Sequence, residues 1–351
     1  MKILINGNLG YIGPVLALHF RRTLPAATLA GFDSGFFAGC LVDPQLLPET
    51  VLDEQRFGDM RTPPAGLYRD VDAVVQLAAI SNDPMGHKFE KVTTEVNTAA
   101  VVRAAREAKA AGAGHFVFAS SCSVYGAAGD EAKTEASPLN PLTAYARSKI
   151  AAEEALASLA SDDFVITCLR FATACGFSPR LRLDLVLNDF VAAAVATGRI
   201  TILSDGSPWR PLIHVKDMAR AIEWACRRPA ANGGNFLVVN AGSDRWNYQV
   251  RQLAEGVRAE LGGIDVSLNA QAAPDRRSYR VDFSQFGRLA PQHQPLETLA
   301  GSVQGLAAGL RAAGFADANF RQSNLIRLKV LSDLQSRHVL DGELRWVPPA
   351  A

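Results

Sequence analysis

The amino-acid sequence predicts an α/β fold in which helices cover both faces of a doubly wound, parallel β-sheet. From Lys2 to Asn240, apolar segments typical of strands alternate with segments of helical periodicity. Alternation over this length predicts parallel strands that are joined by helices. Small and polar residues follow several of these strands, and ligands of open parallel sheets bind beyond the carboxyl ends of the strands.

The composition is that of a large globular protein. The chain has 351 residues, of which 48% are hydrophobic and 20% charged, so it can bury a large core in one big domain or two closely joined ones. Its net charge of +1 gives no reason to expect nucleic acid or an anionic membrane as a partner. No apolar run reaches the ~18 residues that a membrane span needs. The start lacks the pattern of a cleavable signal, and the five cysteines lack regular spacing, which suits free thiols in a reducing compartment. We therefore expect a cytoplasmic protein.

The first strand, Lys2–Asn6, leads into three glycines, Gly7, Gly10 and Gly13, and then into a helix that runs to about Arg21. A glycine motif between a strand and a helix is typical of a dinucleotide-binding turn. The first glycine permits the turn, the second lets the backbone approach a pyrophosphate, and the third lets the helix pack on the strand. The N–H groups at the start of the helix would face the phosphates. The spacing is GxxGxxG rather than GxGxxG.

The second strand, Thr28–Phe32, ends in an acidic residue, Asp33, twenty residues after Gly13. A carboxylate at this place suits the ribose hydroxyls of NAD and would repel the 2′-phosphate of NADP. The sequence therefore predicts NAD as the cofactor. Asp59 precedes the next helix-like segment, and it could accept a hydrogen bond from the adenine amino group.

A third strand, Ala73–Leu77, ends in small residues that leave room for a ligand at the sheet edge. The polar loop that follows contains Asn82 and Asp83, which either contact the substrate or only form the turn. Asn97 opens a predicted helix that runs through Ala111. This residue either contacts the cofactor or links the helix to the neighbouring strand.

A fourth strand, His115–Ala119, ends in hydroxyl residues that include Ser121, and a helix follows from Ala144 to about Ala160. On that helix Tyr145 and Lys149 are four residues apart and share a face. A phenol has a pKa near ~10 and is a poor base at neutral pH, but a nearby ammonium favours the phenolate and a hydroxyl can hold a substrate oxygen against it. The three side chains could move the proton of a sugar or alcohol hydroxyl while a hydride leaves the same carbon, which requires a nicotinamide cofactor.

The rest of the chain is predicted to add a smaller, interleaved lobe. Residues 1–177, with a return at about 213–242, form the predicted dinucleotide-binding domain, and 178–212 with 243–315 form the substrate-binding lobe. One predicted helix of the lobe begins at Trp246 and runs through Glu260. Residues 316–351 form a packed C-terminal extension. Arginines available to bind a diphosphate are Arg180, Arg182, Arg210, Arg276, Arg277 and Arg280.

Taken in order, these glycines, Asp33, Ser121 and the pair Tyr145 and Lys149 resemble the extended short-chain dehydrogenase/reductase family. Within it, the chain is similar to the NAD-dependent epimerase/dehydratase branch, which acts on nucleotide sugars. Further matching segments are Gln76–Ala79, Ser120–Gly126 and Trp209–Asp217. The resemblance covers roughly residues 1–315. It implies a Rossmann-type fold with a C-terminal substrate lobe, and a homodimer formed through the helices at about 97–111 and 144–160.

The resemblance also implies roles for individual residues. The implied catalytic residues are Ser121, Tyr145 and Lys149, and no metal ligand is implied. Residues implied to contact NAD are Gly7, Gly10, Tyr11, Ile12, Gly13, Asp33, Asp59, Met60, Leu77, Ala78, Ala79, Asn97, Ser120, Tyr145, Lys149 and Phe171. Residues implied to contact a nucleoside-diphosphate sugar are Asp83, Ser121, Ser123, Thr173, Arg180, Asn188, Arg210 and Arg277.

Departures from the family's patterns narrow the expected chemistry. Sugar 4,6-dehydratases of this family carry Asp-Glu directly after the catalytic Thr, whereas this chain has Cys122 and Ser123, so dehydration lacks its acid and base. The fucose-synthase type uses a Cys two residues before the Tyr and a His after the later Gly. Here Cys122 is one place off and no His follows Gly176. Thr173 stands where many epimerases have Asn.

Three functions remain open on these residues. The first is an NAD-dependent nucleotide-sugar epimerase, in which the cofactor ends as it began. The second is an NAD(P)-dependent keto-sugar reductase or sugar dehydrogenase that uses the same residues with an exchangeable cofactor. The third is a catalytically idle NAD-binding scaffold, against which the intact Ser121, Tyr145 and Lys149 argue. UDP, dTDP, GDP and CDP sugars all remain possible substrates.

Overall fold

In the computed structural model, a seven-stranded parallel β-sheet forms the centre of the molecule. The structure describes residues 1–43, 47–127, 131–268 and 277–348. The strands of the described chain are β1 (Lys2–Asn6), β2 (Thr28–Asp33), β3 (Glu54–Phe57), β4 (Ala73–Gln76), β5 (His115–Ser121), β6 (Val165–Phe171), β7 (Thr173–Cys175), β8 (Arg199–Ile202), β9 (Trp209–His214), β10 (Phe236–Ala241), β11 (Asn247–Gln249) and β12 (Asp265–Leu268).

The central sheet has the strand order β10-β6-β5-β4-β1-β2-β3, and neighbouring strands are parallel throughout. The order reverses at β1, from which successive strands are added first on one side and then on the other. This topology is the Rossmann-type, doubly wound sheet that the sequence predicts, and it creates a crevice at the carboxyl ends of β1 and β4. The prediction missed β3, an edge strand of the sequence Glu-Gln-Arg-Phe. Edge strands often carry charged and polar residues, so β3 lacks the apolar pattern that marks a buried strand.

Helices cover both faces of this sheet. The α-helices of the described chain are α1 (Gly13–Thr23), α2 (Asp83–Lys88), α3 (Glu90–Thr94), α4 (Val101–Ala110), α5 (Ala144–Ala157), α6 (Val186–Thr197), α7 (Val215–Ala225), α8 (Val250–Leu261), α9 (Ser284–Leu289), α10 (Leu299–Ala312) and α11 (Arg327–Ser336). Ile3 and Ile5 of β1 pack with α1 and α7, whereas Leu4 packs with α4 and α5 on the opposite face. The period-two pattern of the strands thus determines which helix layer each side chain meets.

The remaining strands form two small sheets, β11-β9-β7 and β12-β8. A second hydrophobic core joins α6, α8 and α10 to these strands. A smaller cluster packs Leu331, Leu340 and Leu344 from the C-terminal end of the chain against Met85 and Phe89 of the segment that follows β4. The C-terminal residues therefore pack on the same half of the molecule as β1 to β4.

Several predicted boundaries differ from the structure. Asn97 does not open a helix: it lies in a π-helical turn, Glu95–Ala100, that joins α3 to α4. The helix predicted from Trp246 begins only at Val250, because residues Asn247–Gln249 pair with β9 as a short strand. After Asp59 the chain forms turns rather than a helix.

Candidate active site

A cavity of about 480 Å³ lies at the carboxyl ends of β1, β2, β4, β5 and β6. Its wall contains the glycine-rich loop after β1, Asp33 at the end of β2, and Tyr145 and Lys149 of α5. Residues from the ends of five strands and from α5 therefore meet at one edge of the sheet. This is the place where open α/β sheets bind their ligands.

The three glycines of the first loop lie in different surroundings. A Cβ atom on Gly7, which has φ +84°, would lie 2.4 Å from the backbone nitrogen of Ala78. A Cβ atom on Gly13 would lie 1.9 Å from the carbonyl oxygen of Asn8, so only glycine lets α1 approach the loop. Gly10 lines the cavity, and a Cβ there would approach only the Gly7 carbonyl oxygen, at 3.2 Å. Backbone thus forms the open floor of the cavity at Gly10.

The N-terminus of α1 lies beside this loop and carries no side-chain cap. Uncapped N–H groups at the start of a helix attract anions, including the pyrophosphate of a dinucleotide. The neighbouring Tyr11 is held by its hydroxyl, which donates to the Gly176 carbonyl oxygen at 2.5 Å and accepts from Nδ2 of Asn188 at 3.2 Å. The glycine floor and the uncapped helix together fit a pyrophosphate.

Two carboxylates mark the end of the cavity nearest to β2. Asp33 is buried and accepts hydrogen bonds from the backbone N–H groups of Leu9 (3.0 Å) and Gly35 (2.8 Å). Burial raises the pKa of Asp33, against the lowering effect of these bonds. A carboxylate has about four acceptor sites, which leaves capacity for ribose hydroxyls. Asp59 is held by the guanidinium group of Arg61, 2.7 Å away. We call this region, from Asp33 to Arg61, the adenosine end of the cavity.

At the other end of the cavity, Ser121, Tyr145 and Lys149 lie together. The Ser121 hydroxyl lies near the Tyr145 phenol, whose pKa it lowers, and it accepts a hydrogen bond from the backbone N–H of Ser123 at 3.1 Å. Nζ of Lys149 donates to the Ala119 carbonyl oxygen at 2.7 Å and lies 5.5 Å from the centre of the Tyr145 ring. The triad predicted from the sequence is therefore assembled in space.

The electrostatics of this triad differ from the prediction that Lys149 makes Tyr145 more acidic. Burial raises the pKa of Tyr145 to about 12 and lowers the pKa of Lys149 to about 7, although the Glu153 carboxylate opposes the lowering. The groups that lower the Tyr145 pKa are the Arg182 guanidinium and the Ser121 hydroxyl. The cation that acts on the phenol is thus an arginine from the loop before α6.

Arg182 is buried in the wall of the cavity. Its guanidinium donates to both carboxylate oxygens of Asp184, at 3.0 and 2.7 Å, and to the hydroxyl of Ser81 at 3.2 Å. Asp184 also accepts from Nδ2 of Asn82 at 2.6 Å. The sequence singled out Arg182 only as a diphosphate candidate, although its spacing from Asp184 is a signal for an ion pair. The polar loop after β4 is therefore tied to this pair.

Polar side chains continue the wall beyond Tyr145. Asp83 forms an ion pair with Arg277 at 2.5 Å, and both residues line the cavity. The hydroxyl of Ser123 also faces this region, where it is buried without a hydrogen-bond partner in the described part of the chain. Thr173 and Arg210 complete this wall. Arg276, another diphosphate candidate, lies outside the described residues.

Two of the predicted substrate-contact residues do not line the cavity. Arg180 was expected to bind a diphosphate, but its buried guanidinium pairs with Glu49. Asn188 was expected to contact substrate, but its side chain bonds to the Gly176 N–H (2.9 Å) and the Arg182 carbonyl oxygen (3.0 Å). Arg180 and Asn188 are therefore removed from the predicted contact residues, because their polar groups already have hydrogen-bond or ion-pair partners inside the protein.

Asn97, which was predicted to contact the cofactor, is also enclosed. Its amide bonds to both backbone groups of Ile80, at 2.8 and 3.0 Å, and donates to the Ser148 hydroxyl at 3.1 Å. Asn97 therefore links the helix to the chain that follows β4. This is the second of the two roles that the sequence left open for it. Gly13 likewise lies beneath the cavity rather than in its wall. The other predicted cofactor residues line it: Gly7, Gly10, Tyr11, Ile12, Asp33, Asp59, Met60, Leu77, Ala78, Ala79, Ser120, Tyr145, Lys149 and Phe171.

Some lining residues were not found from the sequence. Phe36 and Phe37 follow β2, Tyr279 lies before α9, and Arg327 and Leu344 belong to the C-terminal end. No motif marks these positions, and only the fold brings them to the cavity. In the described ranges no group of three or more His, Cys, Asp or Glu residues is placed to hold a metal ion. The same ranges contain no helix with the length and apolar character of a membrane span.

Proteins of known activity are similar to this chain in sequence. The chain is 26% identical to a dTDP-glucose 4,6-dehydratase of Streptomyces griseus over 317 residues, which cover 86% of this chain and 92% of the relative. It is also 26% identical to a UDP-glucose 4-epimerase of Streptomyces lividans over 282 residues, which cover 74% and 81%.

Solved structures have the same fold. A UDP-glucose 4-epimerase from Stenotrophomonas maltophila with bound NAD has a TM-score of 0.77 at 21% identity, covering 90% of this chain and 100% of that one. A UDP-glucuronic acid 4-epimerase from Bacillus cereus in complex with UDP-glucuronic acid and NAD has a TM-score of 0.74 at 21% identity, covering 89% and 99%. The family model for the NAD-dependent epimerase/dehydratase family matches residues 3–242. With its glycine-rich loop, its two acidic residues at the adenosine end and its Ser-Tyr-Lys cluster on one sheet edge, the chain belongs to the NAD-dependent epimerase/dehydratase family.

Proposed function

We propose that this protein is an NAD-dependent nucleotide-sugar epimerase that transiently oxidises a sugar hydroxyl. The observation that carries the proposal is that Ser121, Tyr145 and Lys149 line the same cavity as the glycine-rich loop. The UDP-glucose 4-epimerases among the relatives support this choice of substrate class.

The residues at the adenosine end and in the glycine loop would hold the cofactor. The glycine floor and the N-terminus of α1 suit the pyrophosphate, and Asp33 suits the adenosine ribose. Lys149, whose Nζ lies near the Tyr145 ring, would contact the second ribose. NAD, when bound, supplies the hydride acceptor and later returns the hydride.

Tyr145 would remove the proton of the sugar hydroxyl, and Ser121 would orient the oxygen. With a pKa of about 12, the phenol is almost fully protonated at neutral pH, so base catalysis depends on the groups that favour phenolate. Arg182 does this by its charge, because an arginine stays protonated when buried. We therefore assign Arg182 the role of stabilising the ionised Tyr145.

The sugar diphosphate would lie at the end of the cavity that contains Arg210 and Arg277. Both arginines line the cavity, and arginine is well suited to phosphate because it donates several parallel hydrogen bonds. Ser123 and Thr173 supply hydroxyl groups for the sugar. Asp83, which is paired with Arg277, keeps that arginine directed along the wall.

Dehydration is the chemistry of one relative, but this cavity gives it little support. Elimination of water from a sugar needs an acid and a base besides Tyr145. Cys122 is fully buried, its Sγ contacts the Arg170 carbonyl oxygen at 3.1 Å, and burial raises the pKa of its thiol. Ser123 carries a hydroxyl group, which does not ionise near neutral pH. Neither replaces the Asp-Glu pair of the dehydratase pattern.

A net reductase or dehydrogenase is the second candidate, because it would use the same three catalytic residues. The two functions differ in whether NAD leaves during turnover. Purified protein should be assayed with UDP-, dTDP-, GDP- and CDP-sugars and added NAD, following both the absorbance of reduced nicotinamide and the sugar products. An epimeric product without net NADH supports the epimerase. Stoichiometric formation of NADH, or its consumption with a keto sugar, identifies the second candidate, and inactivity with all four nucleotides contradicts the substrate class.

We also propose a cytoplasmic homodimer. The five cysteines are unpaired and buried, which suits a reducing compartment. The helices proposed for the dimer lie side by side, and Ser148 of α5 bonds to Asn97 and Thr98 at 3.1 and 3.0 Å. Light scattering should give twice the mass of one chain, and the mass of a single chain would contradict the dimer.

A further inference from the structure

The C-terminal segment, which we define as residues 316–348, returns from the substrate lobe to the adenosine end of the cavity. Arg327 at the start of α11 is buried, donates to the Arg180 carbonyl oxygen at 2.8 Å, and lies 5.0 Å from the centre of the Phe37 ring. Beyond α11, Leu340 and Leu344 are buried against the chain that follows β4. The segment is therefore a packed part of the structure.

The end of this segment is bonded to both loops that form the adenosine end. Nε1 of Trp346 donates to the Ser34 carbonyl oxygen at 2.6 Å, and the indole packs on Phe36 with ring centres 5.6 Å apart. Arg345 lies 3.7 Å from the carboxylate of Asp59. One end of the chain thus connects the loop after Asp33 with the loop that contains Asp59.

Arg61 strengthens the second connection. Its guanidinium holds Asp59 at 2.7 Å and also donates to the carbonyl oxygens of Glu343 and Leu344, at 2.7 and 3.2 Å. Arg61 is buried, so these hydrogen bonds are shielded from water. The backbone of the C-terminal segment and the carboxylate at the adenosine end therefore share one guanidinium group.

Leu344 itself forms part of the cavity wall. Its side chain is fully buried and lines the cavity, and its backbone has φ +56°. A leucine in this left-handed region is rare and persists only where surrounding contacts hold it. Here the Arg61 bond to its carbonyl oxygen and the packing of its side chain supply those contacts.

We propose that the C-terminal segment is the outer wall of the adenosine end and slows the release of NAD, with Arg345 and Trp346 as positioning residues. The inference rests on the proposed NAD-dependent function. It also deepens that function, because a cofactor that is retained between turnovers suits an epimerase better than a net dehydrogenase. The related solved structures are matched almost in full by 89–90% of this chain, so about a tenth of the chain lies outside the shared fold.

The test compares NAD release from the full-length protein and from Arg345→Ala, Trp346→Ala and the double variant. NAD carried through purification is measured by mass spectrometry, and its dissociation rate is measured by exchange against isotopically labelled NAD. We expect the dissociation rate to rise at least about tenfold in the double variant. The matched controls are Arg337→Ala, whose exposed side chain pairs with Asp333, and Val347→Ala, whose side chain is 45% exposed.

Melting temperatures of the cofactor-free variants show whether they are folded. If the double variant unfolds, Trp346→Phe replaces it, because phenylalanine keeps the packing on Phe36 and loses only the bond to Ser34. Unchanged NAD release in folded variants would overturn the inference, and so would equally fast release from the unaltered protein. If NAD release accelerates as expected but no nucleotide sugar is epimerised, the inference stands and the proposed function fails.

Discussion

Nζ of Lys149 lies 5.5 Å from the centre of the Tyr145 ring, yet its hydrogen bond goes to the Ala119 carbonyl oxygen, 2.7 Å away. With its pKa lowered to about 7 by burial, this lysine carries only part of a charge at neutral pH. It is therefore a weak source of positive potential for the phenol. The permanent cation is Arg182, which approaches the same ring from the loop before α6.

The buried lysine should make the stability of the fold depend on pH. Its pKa falls from 10.5 in the unfolded chain to about 7 in the fold, so the unfolded state binds more protons between these values and stability rises with pH across this window. We expect the free energy of unfolding of the wild type, relative to Lys149→Met, to increase by roughly 1–3 kcal/mol from pH 7 to pH 9. Urea denaturation of both proteins at the two pH values measures this difference. A difference that is independent of pH would contradict the lowered pKa.

Replacing Arg182 by methionine should make Tyr145 harder to ionise. Loss of the charge raises the phenol's pKa, so the ascending limb of the activity–pH profile, along which Tyr145 loses its proton, should move to higher pH by about one unit or more. The rate at neutral pH should fall correspondingly, by about tenfold. Steady-state kinetics between pH 6 and 10 measure both effects.

Arg180→Met is the matched control for this substitution. Arg180 is also buried, and its substitution also leaves a carboxylate, Glu49, without its ion-pair partner, so both variants should lose stability by about 3–5 kcal/mol. Arg180 does not line the cavity, and its variant should keep the wild-type pH profile. Equal shifts in the two variants would mean that the effect comes from general loosening of the fold.

These two arginines show where sequence reasoning reaches its limit. The glycine loop, the strand ends and the Ser-Tyr-Lys pattern were predictable because local spacing determines them. Arg180 and Arg182 look alike in the sequence, and only the long-range pairing of Arg180 with Glu49 decides which one faces the cavity. Leu344 carries no motif, and it reaches the cavity wall only because the C-terminal segment folds back on the sheet. The sequence therefore predicted which residues lie at the edge of the sheet. It did not predict which residues of other segments, such as Leu344, complete the cavity wall.

Tyr145→Phe should remove the proton-transfer step and leave the structure intact. Loss of a positioned acid–base group typically costs about 10²–10⁴-fold in rate, and we expect a fall of that size in kcat. NAD content and melting temperature should stay close to those of the wild type, because the ring still fills its place. Tyr248→Phe, a partly buried tyrosine outside the cavity wall, is the control. Full activity of the Tyr145 variant would favour an idle NAD-binding scaffold over an enzyme.

Two glycines of the first loop should respond oppositely to the same added methyl group. At Gly13 the new Cβ would lie 1.9 Å from the Asn8 carbonyl oxygen, so α1 must move, and overpacking of this kind costs about 1–3 kcal/mol or more. At Gly10 the nearest atom is the Gly7 carbonyl oxygen at 3.2 Å, so the fold should tolerate Gly10→Ala. Because Gly10 lines the cavity, its methyl group would occupy the space of the pyrophosphate and weaken NAD binding by at least about tenfold, or 1.4 kcal/mol.

Melting temperature and NAD affinity, measured side by side on Gly10→Ala and Gly13→Ala, separate the two roles. We expect Gly10→Ala to melt near the wild-type temperature with weakened NAD binding, and Gly13→Ala to melt several degrees lower. Each variant is the other's control, since the chemical change is identical and only the position differs. If Gly10→Ala bound NAD as tightly as the wild type, the pyrophosphate would have to lie elsewhere in the cavity, and the assignment of the glycine floor would be wrong.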